Sequence, residues 1–207
     1  MLKILGKPTS INVRKVLWLC EELALAHELE PWGSGVRDTK VPEFLALNPN
    51  ALVPVLVDGD AVLWESNTIC RYLAGKAGRD DLLPRDSLAR ARVEQWMDWQ
   101  AGDFNNAWRY AYMHLVRKSP AHQDLAAVAA SVATWNRHVV MLDEQLARTG
   151  AFAAGPAFTL ADIGIGLSVN RWVETPIERP ALAHVRAYYD RLAERAPFRL
   201  HGRNGMP

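Results

Sequence analysis

The sequence of 207 residues predicts an α/β N-terminal half followed by an all-α C-terminal half. Strand-like and helix-like runs alternate as β-α-β-α-β-β-α to about residue 77. A turn-rich stretch from Gly78 to Asp86, with Asp80, Asp81 and Pro84, interrupts them. Beyond it strand signals nearly vanish, and apolar residues recur at three- and four-residue spacing. The expected units are residues 1–78, a linker at 79–86, and a helical unit at 87–207.

Each element has its own warrant. Residues 2–5 form an apolar strand, and Val13, Val16, Leu17, Cys20 and Ala24 make the stripe of a helix from Val13 to about Ala26. Leu29 to Trp32 starts a second strand. Lys40 to Leu47 reads as a short helix stopped at Asn48-Pro49, because proline disfavours helical backbone in the residue before it. Asp58-Gly59 supplies a tight turn between Val55-Leu56-Val57 and Ala61-Val62-Leu63. Ile69, Tyr72 and Leu73 follow Ser66 at helical spacing and extend a helix to about Ala77. The second half divides into helices over 87–117, 121–149, 160–173 and 180–195, with Pro120, Gly150, Pro156, Pro176 and Pro180 as punctuation. Thr159 and Asp162 form a capping box, with Phe158 and Ile163 as its hydrophobic staple.

Composition narrows the function. A 49% hydrophobic chain buries a substantial core, and 24 basic against 23 acidic residues leave a formal charge of +1. That balance gives no electrostatic case for nucleic acid or an anionic membrane. No uninterrupted apolar run approaches a bilayer span, and the start lacks a signal-peptide core, so a cytoplasmic location is expected. Cys20 and Cys70 have neither redox nor metal spacing and are expected in the core. The six histidines show no ligand spacing, so no metal is assigned.

The chemistry concentrates between residues 53 and 67. Proline cannot donate to a sheet ladder, so Val53-Pro54-Val55-Leu56 marks an unusual strand start and Val53-Pro54 is a candidate cis bond. The Val53 N–H and C=O then face outward, where an extended peptide can pair with them. Glu65-Ser66 opens the next helix, whose free N–H groups suit an anion. Alone, each feature is ordinarily an edge strand or a cap. Together they suggest a small peptide with a free carboxylate.

Asn48-Pro49-Asn50-Ala51-Leu52-Val53-Pro54-Val55-Leu56 and Trp64-Glu65-Ser66-Asn67-Thr68-Ile69-Cys70-Arg71-Tyr72-Leu73, with the capping-box helix, resemble a cytosolic glutathione transferase of a bacterial, serine-type or related class. The resemblance spans the whole chain. It implies a thioredoxin-like N-terminal domain, an all-α C-terminal helical domain, a homodimer, and glutathione as co-substrate. It further implies that Glu65 and Ser66 hold the γ-glutamyl end, that Val53 beside Pro54 pairs with the cysteinyl portion, and that Ser10, four residues before Arg14, activates the thiol. Thr9 and Asn12 compete with Ser10 for that role, and all three are also plausible helix caps. Ala51 stands where some relatives have a histidine for the glycyl carboxylate, which leaves Lys40 as a substitute; Asn67 stands where some place a charge.

Asp103, Phe104, Trp108, Tyr112 and His114 fall close together on the first helix of the second half, with Trp108 and Tyr112 one turn apart on one face. Such a stripe is commonly core, but eight tryptophans favour some aromatic lining of an electrophile cleft. The expected function is therefore glutathione transfer to a small hydrophobic electrophile, in detoxification. The alternatives are a family-like binding or regulatory protein and a glutathione-dependent disulfide reductase or peroxidase.

Overall fold

Residues 1–207 are described by a computed structural model. Four strands, β1 (Leu2–Gly6), β2 (His27–Pro31), β3 (Val55–Asp58) and β4 (Ala61–Trp64), form one sheet in the order β2-β1-β3-β4. β2 runs parallel to β1, while β3 and β4 are antiparallel to their neighbours. This mixed sheet, with α1 (Ile11–Glu22) and α3 (Ser66–Lys76) packed together, is the thioredoxin-like arrangement. Gly6 ends β1 directly under α1: a Cβ there would meet Val13 at 2.5 Å, so glycine is what lets the strand end pack against the first turn of α1.

Several boundaries differ from expectation. α1 begins two residues early and stops at Glu22, because Ala24 takes a left-handed φ of 49° that turns the chain into β2. The helix expected over 40–47 shrinks to α2 (Pro42–Leu45), started by a proline. In the hairpin Asp58 pairs with Ala61, so the loop is Gly59-Asp60 with Gly59 at φ 60°. The expected helix 87–117 is three pieces: α4 (Ser87–Trp99), a π-helical turn (Gln100–Phe104) and α5 (Asn105–Leu115). The π turn aims Gln100 inward, 1% exposed, which hydrophobic spacing could not reveal.

The remaining helices are α6 (Leu125–Thr149), α7 (Leu160–Glu174), α8 (Ala183–Leu192) and α9 (Ala196–His201). Asp124 caps α6 by accepting the Ala126 N–H at 2.9 Å, and Gly150 ends it at φ 77°. α6 is long and apolar enough, at mean hydropathy 1.2, to cross a bilayer by length and composition. Here it lays Trp135, Val139, Leu142 and Leu146 into the core. α8 starts after Pro180 rather than at it, and α9 is too short to leave a periodic signal. α7 runs through the centre, buried from Leu160 to Trp172. Cys20 and Cys70 are core thiols, both pushed up to about 12 by burial.

Candidate active site

β4 delivers the chain into Glu65, whose backbone sits at φ 70° and ψ 111°. A non-glycine residue with positive φ is strained by about 1–3 kcal/mol and persists only where its surroundings hold it. Ser66 is the first helical residue rather than the cap. The first helical bond runs from Ile69 N–H to Glu65 O at 2.9 Å, so the N–H groups of Ser66, Asn67 and Thr68 take no acceptor within the chain.

A cleft of about 310 Å³ opens in front of these groups. α1 lines it with Asn12 and Lys15; α3 with Glu65, Ser66, Asn67, Thr68 and Arg71; and the opposite wall with Asp98, Ala101 and Asn105. Lys15 was not anticipated from the sequence, although a lysine beside Val13 and Val16 on an apolar helix was the available signal. It is 2% exposed, and its ammonium donates to Gln100 Oε1 at 2.6 Å and Asn67 Oδ1 at 3.3 Å. Gln100 Nε2 in turn donates to Ser168 Oγ at 2.8 Å. Gly164 makes room for this chain, since a Cβ there would lie 2.9 Å from Gln100 Oε1. Burial lowers Lys15 to about 8, with Arg171 adding repulsion and Glu65 opposing it. Asn67 also donates to Met97 O at 3.0 Å, tying α3 to α4.

Ser10 occupies the N-cap position of α1 at φ −85° and ψ 124°. Serine there usually bonds its own helix, but the Ser10 hydroxyl makes no such bond. The helix begins with Arg14 N–H to Ser10 O at 2.9 Å, leaving the N–H groups of Ile11, Asn12 and Val13 without intrahelical acceptors. Thr9 is exposed, while Asn12 is half-buried and reaches the cleft.

The Val53–Pro54 peptide is cis. The Val53 N–H and C=O take no partner within the chain. Asn48, 2% exposed, shapes the approach: it donates to Leu52 O at 2.8 Å and accepts from Asn50 N–H at 3.0 Å. Sequence inspection took Asn48 as a helix stop and missed this role. Lys40 is exposed on the loop before α2, where its backbone N–H bonds Asp38 Oδ1 at 2.9 Å, and its side chain does not line the cleft.

Trp108 and Tyr112 sit on α5 with ring centroids 5.4 Å apart, edge to face, and both are buried. They do not line the Glu65–Ser66 cleft. The structure thus brings Asn12, Glu65 and Ser66 together at one cleft and leaves Thr9, Ser10, Lys40, Val53, Pro54, Trp108 and Tyr112 outside its lining. No group of three or more His, Cys, Asp or Glu side chains is arranged to hold a metal.

A family profile described as the glutathione S-transferase N-terminal domain matches residues 5–81. The glutathione S-transferase GstB of Escherichia coli strain K12 is 38% identical across 89% of this chain and 97% of that one. Glutathione S-transferase 3 of Zea mays is 36% identical across 95% of this chain and 91% of its own. Among solved structures, the theta class glutathione S-transferase of Xanthomonas axonopodis pv. citri with glutathione bound superposes at a TM-score of 0.90, with 37% identity over 97% of this chain and 96% of that one. Sheet order, helical second half and sequence identity over nearly the whole length agree, and the chain belongs to the glutathione S-transferase family.

Proposed function

We propose that this protein binds reduced glutathione, stabilises its thiolate and adds it to a small electrophile. The observation that carries this is the cleft at the start of α3, where strained Glu65 presents a carboxylate beside three free N–H groups. A γ-glutamyl end carries one ammonium and one carboxylate. Glu65 takes the ammonium; Ser66 and the helix N-terminus take the carboxylate, with buried Lys15 adding positive potential. Val53 pairs with the cysteinyl portion through its unused N–H and C=O. The glycyl carboxylate falls to Lys40, a flexible exposed cation, since Ala51 offers no side-chain donor.

Ser10 donates its hydroxyl to the sulfur, and Thr9 and Asn12 are the neighbours that would replace it. Moving a thiol from a pKa of about 8.5 to about 6.5 takes roughly 3 kcal/mol. A hydrogen bond to a charged group supplies about 1.5–3 kcal/mol and a helix N-terminus about 0.3–1 kcal/mol, so the two suffice. The thiol proton leaves to solvent and the thiolate attacks carbon. The C–S bond forms as the leaving group departs with its electron pair. Trp108 and Tyr112 flank the electrophile's side, and the setting is detoxification in the cytoplasm by a homodimer. Light scattering checks the last point: a mass near twice 23.1 kDa is expected, and the monomer mass at micromolar concentration overturns it.

Calorimetry tests the cradle. Glu65→Ala and Ser66→Ala should each weaken glutathione binding by about 1–3 kcal/mol with little loss of thermal stability. Unchanged affinity in both variants would remove the assignment.

A further inference from the structure

Near the end of α7 the core holds a guanidinium that forms no ion pair. Arg171 is 3% exposed, and its guanidinium carbon lies 4.4 Å from the Trp108 ring centroid and 4.1 Å from that of Tyr112. Its Nε is buried without an acceptor. Burial lowers Arg171 to about 10, with Arg14 and Arg117 adding repulsion and Tyr112 opposing it. Arg117 is exposed and lies over Tyr112 too, 5.5 Å from the centroid. Trp108 Nε1 and Trp135 Nε1 are likewise buried without acceptors, on rings 6.2 Å apart. Three other tryptophans do find acceptors: Trp18 bonds Glu22, Trp32 bonds Glu30 and Trp172 bonds Asn136, each at 2.8 Å.

The cluster is therefore rich in donors and cations, and no carboxylate pairs with Arg171. A buried donor left unpaired destabilises the fold, and a buried cation without a counter-ion does so more strongly. Arg14 is also buried, and its donors are taken up by the backbone carbonyls of His201, Gly202 and Met206, by Asn204 Oδ1 and by Pro207 O, which leaves Arg171 without a share of those acceptors.

We propose that Arg171, Arg117 and the Trp108 and Trp135 N–H groups form an anion subsite, and that the second substrate is an apolar, preferably aromatic, electrophile carrying a carboxylate. This rests on the transferase function above and sharpens its hydrophobic electrophile into an amphipathic one. Trp108 and Tyr112 give the carbon skeleton its apolar faces. α1 connects the two sites, because it packs against α7 and carries Arg14 one turn beyond Ser10. With a chloroarene, the thiolate attacks the chlorine-bearing carbon, the C–S bond forms, chloride leaves with the C–Cl pair, and the carboxylate stays on the product.

A matched pair of probes tests this. One is the chlorodinitrobenzoate with chlorine para to the carboxylate; the other is its neutral carboxamide. Each rate is divided by its uncatalysed rate with glutathione. The wild type should favour the benzoate in kcat/KM by about ten- to hundredfold, the size of one charged hydrogen bond. Arg117→Gln should reduce that preference, Arg171→Gln should abolish it, and Arg171→Lys should restore part. In parallel, tryptophan quenching should report tighter binding of the chlorine-free dinitrobenzoate than of its amide. Equal use of both probes, equal binding of their chlorine-free forms, or a preference that survives both glutamine variants overturns the subsite. Arg117 is exposed, so its variant keeps the test decisive should Arg171→Gln fail to fold. Selective benzoate binding in a protein that neither binds glutathione nor turns over either probe would instead overturn the transferase function while supporting the subsite.

Discussion

Asp162 and Arg171 lie near opposite ends of α7, both buried, at 0% and 3% exposure. Around Asp162 everything is paired. Its carboxylate accepts the Ala153 N–H at 3.0 Å, the Thr159 N–H at 2.9 Å, the Thr159 hydroxyl at 3.2 Å and the Tyr188 hydroxyl at 3.1 Å. Burial still outweighs those bonds and raises it to about 6. Arg171 instead lies against the Trp108 and Tyr112 rings, and its Nε has no partner. A buried charge whose lone pairs are all taken holds the fold together. One that forms no ion pair can still bind an anion.

The largest expected effect breaks the saturated end. Asp162→Ala removes a cap and strands the Ala153 and Thr159 N–H groups, so about 2–4 kcal/mol of stability should disappear in urea unfolding. Full stability with lost turnover would move Asp162 into the catalytic machinery.

Next in size is Ser10→Ala. Losing a charged hydrogen bond of about 1.5–3 kcal/mol should raise the pKa of bound glutathione by one to two units, read by ultraviolet titration, while binding changes little. A pKa that moves only in Thr9→Ala or Asn12→Ala transfers the role to that neighbour. Wild-type glutathione that titrates like the free tripeptide would favour a binding protein over an enzyme.

Arg171→Met sharpens the contrast by its sign. Replacing an uncompensated buried charge with an apolar chain should leave stability unchanged or raise it by about 1–2 kcal/mol. A loss as large as that of Asp162→Ala would make Arg171 structural, and the two ends of α7 alike.

A pH dependence probes a third buried charge. Lys15 is lowered from 10.5 to about 8 in the fold, so between those values the unfolded chain binds more protons and stability rises with pH. Below about 8 the ammonium is charged in both states and its burial is fully unfavourable. The stability of wild type relative to Lys15→Met should therefore improve from pH 8 to 10; a flat difference would show that the buried amine does not titrate there.

What could be read in advance was local. The Val55–Leu63 hairpin, the Thr159–Asp162 box and the Glu65–Ser66 helix start were legible because the residues that make each lie within a few positions of one another. Boundaries failed where a single backbone angle decided, as at Ala24, or where a π turn broke an otherwise continuous pattern at Gln100. Asn48 hid its role because its bonds to Leu52 and Asn50 look like an ordinary helix stop.

The order of strands and helices, the anion-ready start of α3 and the family resemblance follow from sequence alone, since short-range sterics, capping and apolar period determine them. Which buried charges are satisfied was decided only by the tertiary structure. Lys15 finds Gln100 across 85 positions and Arg14 finds Gly202 across 188, whereas Arg171 finds only aromatic rings. A hydrogen bond's partner is set by where distant helices meet, and no local pattern encodes that meeting.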